Sequence, residues 1–218
     1  MTNPTFKLDP FQEEAINELK NGISVVVSAP TGAGKAEFVI EEAIKNDKRV
    51  FYTTPLKALS NQKFHDFQKK YGEERVGLVT GDSSSNRDAQ IVVMTTEIYR
   101  NMLYGTSLGS VDENLKHLRY LVLDECHYMN DPERGTVWEE SIIYSPTNVQ
   151  IVALSATVAN AKELADWISK VHNETKLIES FFRPVPLRFY YFKDKHLYPL
   201  LTTDKKLNSI KLLQVFLK

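Results

Sequence analysis

The run Ala29-Pro30-Thr31-Gly32-Ala33-Gly34-Lys35, entered from Ile23-Ser24-Val25-Val26-Val27-Ser28, decides the fold of this 218-residue chain. The apolar stretch reads as a buried strand, the glycine-bearing run as a phosphate-binding loop, and the residues after Lys35 as a helix. Glycines let backbone N–H groups curl around phosphate oxygens. The helix start adds the positive end of its dipole, and Lys35 supplies a point charge for terminal phosphates. Directly after the lysine such loops carry Ser or Thr, whose hydroxyl ligates Mg²⁺; here the residue is Ala36.

Upstream of the loop, Asp9-Pro10-Phe11-Gln12 predicts a helix start, with Asp9 as N-cap, Pro10 at the first helical position and Gln12 completing a capping box. Phe11, Ala15, Ile16 and Leu19 share one face of that helix, and Asn21-Gly22 ends it. Downstream, 35–45 reads as the helix behind the loop. Further strands are predicted at 49–53, 76–79, 91–94, 120–123, 149–154 and 187–192. Helices are predicted at 56–71, with Leu59, Phe64 and Phe67 inward, at 96–104, and at 159–170, with Leu164, Trp167 and Ile168 as the apolar stripe. The polar stretch 82–88 and the Gly/Ser-containing stretch 105–114 read as loops. Short apolar strands alternating with helices predict an α/β fold, a mostly parallel central sheet covered on both faces.

A hydrophobic content of 42% supports a full core, consistent with one α/β domain with or without an appendage. The single cysteine, Cys126, excludes an internal disulfide framework. Together with the lack of a secretory pattern over 1–19, it predicts a reducing, cytoplasmic setting. No apolar run approaches the roughly 20 residues of a membrane helix, so no membrane partner is expected. A net charge of -1 neither announces nor excludes nucleic acid. Residues 194–218 mix charges with Leu207, Ile210, Leu212, Leu213, Val215 and Phe216. That composition suits a linker or an element that packs on another partner, and equally a helix folding back on the same domain.

A second signal sharpens the loop. Asp124-Glu125 closes the strand at 120–123, at the end where α/β sheets place their ligands. In phosphate-loop NTPases an aspartate there orients Mg²⁺ and its waters, and a neighbouring glutamate polarises the attacking water. Cys126 beside His127 could suggest a metal site, but no second Cys-His pair exists, so a buried small apolar position is the better reading. In Phe189-Tyr190-Tyr191-Phe192 adjacent residues face opposite ways, so at least half should be packing rather than stacking on bases.

Asp124-Glu125-Cys126-His127 matches motif II of superfamily 2 DExH-box helicases. From about Phe6 to Phe192 the chain resembles the first RecA-like domain of their superkiller-type, exosome-associated RNA helicase branch. The other landmarks run in that family's order: Phe11-Gln12, Thr54-Pro55-Leu56-Lys57-Ala58-Leu59-Ser60-Asn61-Gln62-Lys63, Thr80-Gly81-Asp82, Thr95-Thr96-Glu97 and Ser155-Ala156-Thr157. The resemblance implies a three-layer RecA-like P-loop domain over 1–193, with 194–218 as a linker or tail.

It also implies ATP and Mg²⁺ as cofactors. Gln12 would read the adenine edge and Phe6 or Phe11 would stack on the base, with helix capping and core packing as the alternatives. Ala29, Pro30, Thr31, Gly32, Ala33, Gly34, Lys35 and Ala36 would form the nucleotide cradle. Asp124 would hold Mg²⁺ through water, Glu125 would activate the hydrolytic water, and His127 would couple to Ser155 or Thr157. Thr54, Pro55, Lys57, Thr80, Gly81, Thr95 and Thr96 would line a groove for single-stranded RNA, although each threonine alone could equally be a turn or cap residue. Glu97 more simply caps the following helix.

Two departures temper these expectations. Losing the Mg²⁺-ligating hydroxyl at Ala36 should cost about 1–3 kcal/mol in metal–nucleotide binding. The family also closes its site with a second RecA-like domain carrying arginine fingers, and the tail after Phe192 has no room for one. Without such a finger, related NTPases slow by roughly 10³–10⁵. The chain therefore reads as the ATP-binding motor half of an RNA helicase, completed by a second domain or polypeptide. The alternative is a weakly active or inactive nucleotide- or RNA-binding module. A small-molecule P-loop kinase has no use for the segments at 54–63 and 155–157.

Overall fold

The structure, a computed structural model, describes residues 8–30, 32, 34–105, 115, 117–156, 160–183, 187–193, 195–201 and 207. Phe6, Thr31, Ala33 and Thr157, all named above, lie outside them, as does most of 105–114 and of 194–218. The chain divides into two compact units, one ending at Phe182 and one beginning at Arg183.

In the first unit, α1 (Pro10–Lys20) follows the N-cap Asp9, whose N–H donates to Gln12 Oε1 at 2.9 Å. β1 (Ser24–Ser28) leads into the loop, and α2 (Glu37–Lys45) leaves it. Then come β2 (Arg49–Thr54), α3 (Lys57–Tyr71), β3 (Val76–Val79), β4 (Ser84–Ser85), β5 (Ile91–Thr95), α4 (Thr96–Tyr104), β6 (Leu118–Leu123), α5 (Gly135–Ile143), β7 (Gln150–Ser155), α6 (Ala161–Val171) and β8 (Thr175–Glu179). The eight strands form one sheet in the order β4-β3-β5-β2-β6-β7-β1-β8. Every pairing is parallel except β3 with β4, where Leu78 opposes Ser85.

The strand period of two sorts the core into two layers. Val25, Val27, Val50, Tyr52, Val93, Val122 and Val152 pack with Ile16 of α1, Phe38 and Ile40 of α2, and Phe64 and Phe67 of α3. Their neighbours Val26, Phe51, Val92, Met94, Leu121 and Leu123 pack with Tyr99 of α4, Trp138 of α5 and Ile168 of α6. Strands buried on both faces explain why they read as continuous apolar runs rather than alternating ones. The result is a three-layer α/β domain with a mostly parallel sheet.

The structure departs from the sequence reading at β4, inside the stretch 82–88 read as a loop, at α5 and β8, which the sequence pattern does not predict, and in three further details. α2 starts two residues later than expected, at Glu37, because the loop keeps Lys35 and Ala36 in a turn. Leu59 is only half-buried, since it borders a cavity rather than the core, and Leu164 and Trp167 of α6 border another. In the second unit, β9 (Tyr190–Lys193) pairs antiparallel with β10 (His196–Pro199). Phe189, Tyr190 and Phe192 are exposed and Tyr191 half-buried, so fewer than half of these aromatics are packed. A two-stranded ribbon has no second layer of its own to bury them.

Candidate nucleotide site and nucleic-acid interface

The loop is tied down at both ends by main-chain groups. Ala29 N–H donates to Ser155 O, the last residue of β7, at 3.2 Å. Lys35 Nζ donates to Ala29 O and Ser155 O, both at 2.9 Å. Burial pushes the Lys35 ammonium below the ordinary lysine value, against the opposing pull of Glu125 and Asp124. Gly32 and Gly34 hold φ of +85° and +68°, left-handed values that glycine adopts freely. A Cβ on Gly34 would stand 3.1 Å from Gln12 Nε2.

Gln12 is spent on this bracing. Its Oε1 accepts the Asp9 N–H, and its Nε2 donates to Gly34 O at 2.8 Å, so the cap of α1 also holds the loop. The capping alternative for Gln12 is thus present in the structure, as is a core position for Phe11. Ala36 is 4% exposed and packs in the apolar cluster under α2, which starts without a side-chain cap.

The carboxylates stand two strands away, since β7 lies between β1 and β6. Asp124 N–H donates to Thr53 O at 2.9 Å, fixing the chain as it leaves the sheet. Asp124 Oδ1 accepts the Glu125 N–H at 3.0 Å, and Oδ2 accepts the Tyr52 O–H at 2.5 Å. Tyr52, in β2, is fully buried, edge-on to Phe67 at 5.1 Å. Burial first, and the Asp124 charge second, push its phenol well above the ordinary tyrosine value, so it remains a donor. Glu125 takes φ +52°, a strained conformation for a residue with a Cβ, where the chain turns from β6 into the 3₁₀ segment Cys126–Asn130. His127 Nδ1 lies 3.3 Å from Glu125 Oε2.

Gly32, Gly34 and Lys35 share one cavity of 340 Å³ with Asp124 and Glu125. Its glycines leave room for an anion, and its lysine and N–H groups suit one. Each Asp124 oxygen accepts a single protein hydrogen bond, which leaves acceptor capacity for water or a metal. No group of three or more His, Cys, Asp or Glu among the described residues could hold a metal. The spare acceptor sites of Asp124 fit a divalent cation that takes its other ligands from phosphate and water.

A second cavity of 210 Å³ is lined by both His127 and Ser155, without a hydrogen bond between them among the described residues. Burial pushes the Cys126 thiol up to about 12, so it stays protonated and inert, as a buried apolar position would.

The remaining predicted residues gather along the loops after β2, β3 and β5. The Thr54, Thr80 and Thr96 hydroxyls are buried and used internally. Thr54 Oγ1 donates to Leu56 O at 3.0 Å, Thr80 Oγ1 contacts Asp82 Oδ1 at 3.2 Å, and Thr96 Oγ1 donates to Thr54 O at 3.3 Å. Lys57 and Gly81 are exposed, Thr95 half-buried and Pro55 buried. Lys57 Nζ pairs with Asp82 Oδ2 at 2.5 Å. Glu97 does not cap α4. Its carboxylate pairs with Arg134, whose Nη2 also donates to Pro55 O at 2.6 Å. Arg134 thus ties the loop after β2 to the start of α4, a role with no local sequence signal, because its partners lie 79 and 37 residues away.

The DEAD/DEAH box helicase family profile matches residues 9–164, which contain the phosphate loop, the strand-end carboxylates and the loop face. The chain is 54% identical over 200 residues to the chloroplastic DExH-box ATP-dependent RNA helicase DExH15 of Arabidopsis thaliana, covering 90% of this chain and 17% of that protein. It is 43% identical over 206 residues to the antiviral helicase SKI2 of Saccharomyces cerevisiae, covering 92% of this chain and 16% of that protein. Among solved structures, the Mycobacterium smegmatis helicase Lhr bound to ssDNA and AMP-PNP matches with a TM-score of 0.66 at 25% identity, covering 80% of this chain and 26% of Lhr. This chain spans less than a fifth of the length of either curated relative. On the strength of the match over 9–164, the chain belongs to the DEAD/DEAH box helicase family.

Proposed function

We propose that this chain is the ATP-binding motor half of a superkiller-like DExH-box RNA helicase, acting on single-stranded RNA with a second RecA-like domain or polypeptide. The observation that carries the reading is the shared cavity, where Gly32, Gly34 and Lys35 meet Asp124 and Glu125. The loop N–H groups and Lys35 would hold the β and γ phosphates. Asp124, oriented by Tyr52 and its own turn, would hold Mg²⁺ through water. When bound, the metal neutralises phosphate charge. Glu125, in its strained corner, would accept a proton from the attacking water, and His127 beside it would pass that change toward Ser155 and Thr157. Lys57, Gly81 and Thr95 would meet the RNA backbone, with the buried threonines shaping their loops. A DExH-box RNA helicase as relative supports RNA over DNA. One buried cysteine supports a reducing, cytoplasmic setting, and no helix among the described residues is long and apolar enough to cross a membrane.

A radiolabelled ATPase assay with and without single-stranded RNA tests this on wild type, Ala36→Thr and Glu125→Gln. Slow RNA-stimulated turnover is expected in wild type, faster in Ala36→Thr and abolished in Glu125→Gln with nucleotide binding retained. No saturable nucleotide binding in wild type would overturn the reading. Binding without turnover in either wild type or Ala36→Thr would leave the inactive module in its place.

A further inference from the structure

α3 contributes Leu59, Gln62 and Lys63 to the lining of the 340 Å³ cavity that Gly32, Gly34 and Lys35 of the phosphate loop also line. Spacing of three and four residues puts these side chains on one helix face. Lys63 differs in one respect from the other lysines around it. Lys57 is paired with Asp82 and Lys70 with Glu41, while Lys35 is held by two carbonyls. Among the described residues Lys63 has no carboxylate within ion-pair distance. Its ammonium instead stands 5.8 Å from the ring centroids of both Tyr52 and Phe67. Those rings steady the charge from its apolar side without using any of its three N–H donors. It is close enough to Lys35 for the two ammonium groups to repel.

The cavity therefore holds two cations, and only one is already engaged by hydrogen bonds. For an incoming polyphosphate, Lys63 offers donors that need break no existing bond. Ala36, meanwhile, brings no hydroxyl to anchor a metal at the loop's exit. We propose that Lys63 is a second phosphate-binding cation of this cavity, facing Lys35 across the terminal phosphates of a nucleoside triphosphate. The inference rests on the nucleotide reading of the same cavity and adds a consequence to it. A lysine point charge at that position replaces part of the neutralisation that a hydroxyl-anchored Mg²⁺ would give, so nucleotide binding should persist when divalent metal is withdrawn.

Fluorescence titration with a labelled ATP analogue, with ADP and with adenosine, in excess Mg²⁺ and in EDTA, tests this on wild type, Lys63→Met and Lys63→Arg. Methionine keeps the aliphatic packing on Tyr52 and Phe67 and removes the charge; Lys63→Gln and thermal melts check that the fold is intact. Wild type should keep most of its ATP affinity in EDTA. Lys63→Met should lose about tenfold in Mg²⁺ and more in EDTA, with arginine restoring most of it, as expected for a charge-assisted phosphate contact. Adenosine binding should be unchanged. Wild-type binding that Lys63→Met leaves unaltered, or weakens equally for adenosine, overturns the Lys63 role alone. Absence of nucleotide binding in wild type overturns it together with the nucleotide reading.

Discussion

Lys35 follows β1 and Lys57 follows β2, strands separated by β6 and β7 in one sheet, and their ammonium groups are held in opposite ways. Lys35 is half-buried and held by two main-chain carbonyls, in a cavity where Gln12 braces Gly34 and Tyr52 braces Asp124. Lys57 sits in an open ion pair, its side chain 51% exposed and that of Asp82 67%. Arg134 and Glu97, on the same loop face, are 32% and 31% exposed. Partly buried, directional bonds fix geometry and are screened less than exposed pairs, which contribute little and weaken with salt. The proposed phosphate cavity is thus braced by protein hydrogen bonds among its described residues. The loop face carries charges that can exchange an internal partner for a phosphate backbone at small cost.

The largest effect that would sharpen this contrast is expected from Tyr52→Phe. Removing a donor to a carboxylate costs about 1.5–3 kcal/mol, read as a lower urea midpoint and as weaker Mg²⁺ dependence of nucleotide binding. RNA affinity should not move. Gly34→Ala comes next. A left-handed φ costs a residue with a Cβ about 1–2 kcal/mol, and the new methyl crowds Gln12, so nucleotide affinity should fall by roughly 5–30-fold in the same titration. Arg134→Ala should act on the other region. Releasing Pro55 and Glu97 should weaken single-stranded RNA binding about threefold to fivefold by fluorescence anisotropy, as expected for loss of a partly exposed charged contact. Nucleotide affinity should stay within error. Equal losses on both ligands would break the distinction between the two regions. The smallest effect is Asp82→Asn, which frees Lys57. RNA affinity should rise about twofold at low salt, and the slope of log K against log salt should steepen by about 0.7, one extra single-strand phosphate contact.

The parts of this molecule readable from sequence are those whose signals are local. Asp9, Pro10 and Gly22 bracket α1, and buried parallel strands announce themselves as apolar runs. Phosphate loop and carboxylates could be paired across about 90 residues because parallel topology brings strand ends to one edge. α5 has no cap residue before Gly135, and β4 is two exposed serines. β8 is an edge strand carrying Lys176 and Glu179, charges that blunt an edge and erase the strand pattern. Of the candidate site, the juxtaposition of the loop glycines and Lys35 with Asp124 and Glu125 was legible. The contacts of Tyr52 and Arg134, and the proposed place of Lys63, were not, because they depend on neighbours supplied by strand pairing and helix docking. The threonines show the converse: their positions followed a recognisable order, but burial turned the hydroxyls of Thr54, Thr80 and Thr96 inward.

Calorimetric titration of wild type and Lys35→Ala with a non-hydrolysable ATP analogue and Mg²⁺ bears most directly on the cavity as a nucleotide site. Expected are saturable one-to-one binding by wild type and a loss of about 100-fold in Lys35→Ala, the scale of a charge-assisted contact of about 3 kcal/mol. A wild-type chain that gives no saturable heat, or a Lys35→Ala chain that titrates like wild type, would contradict it.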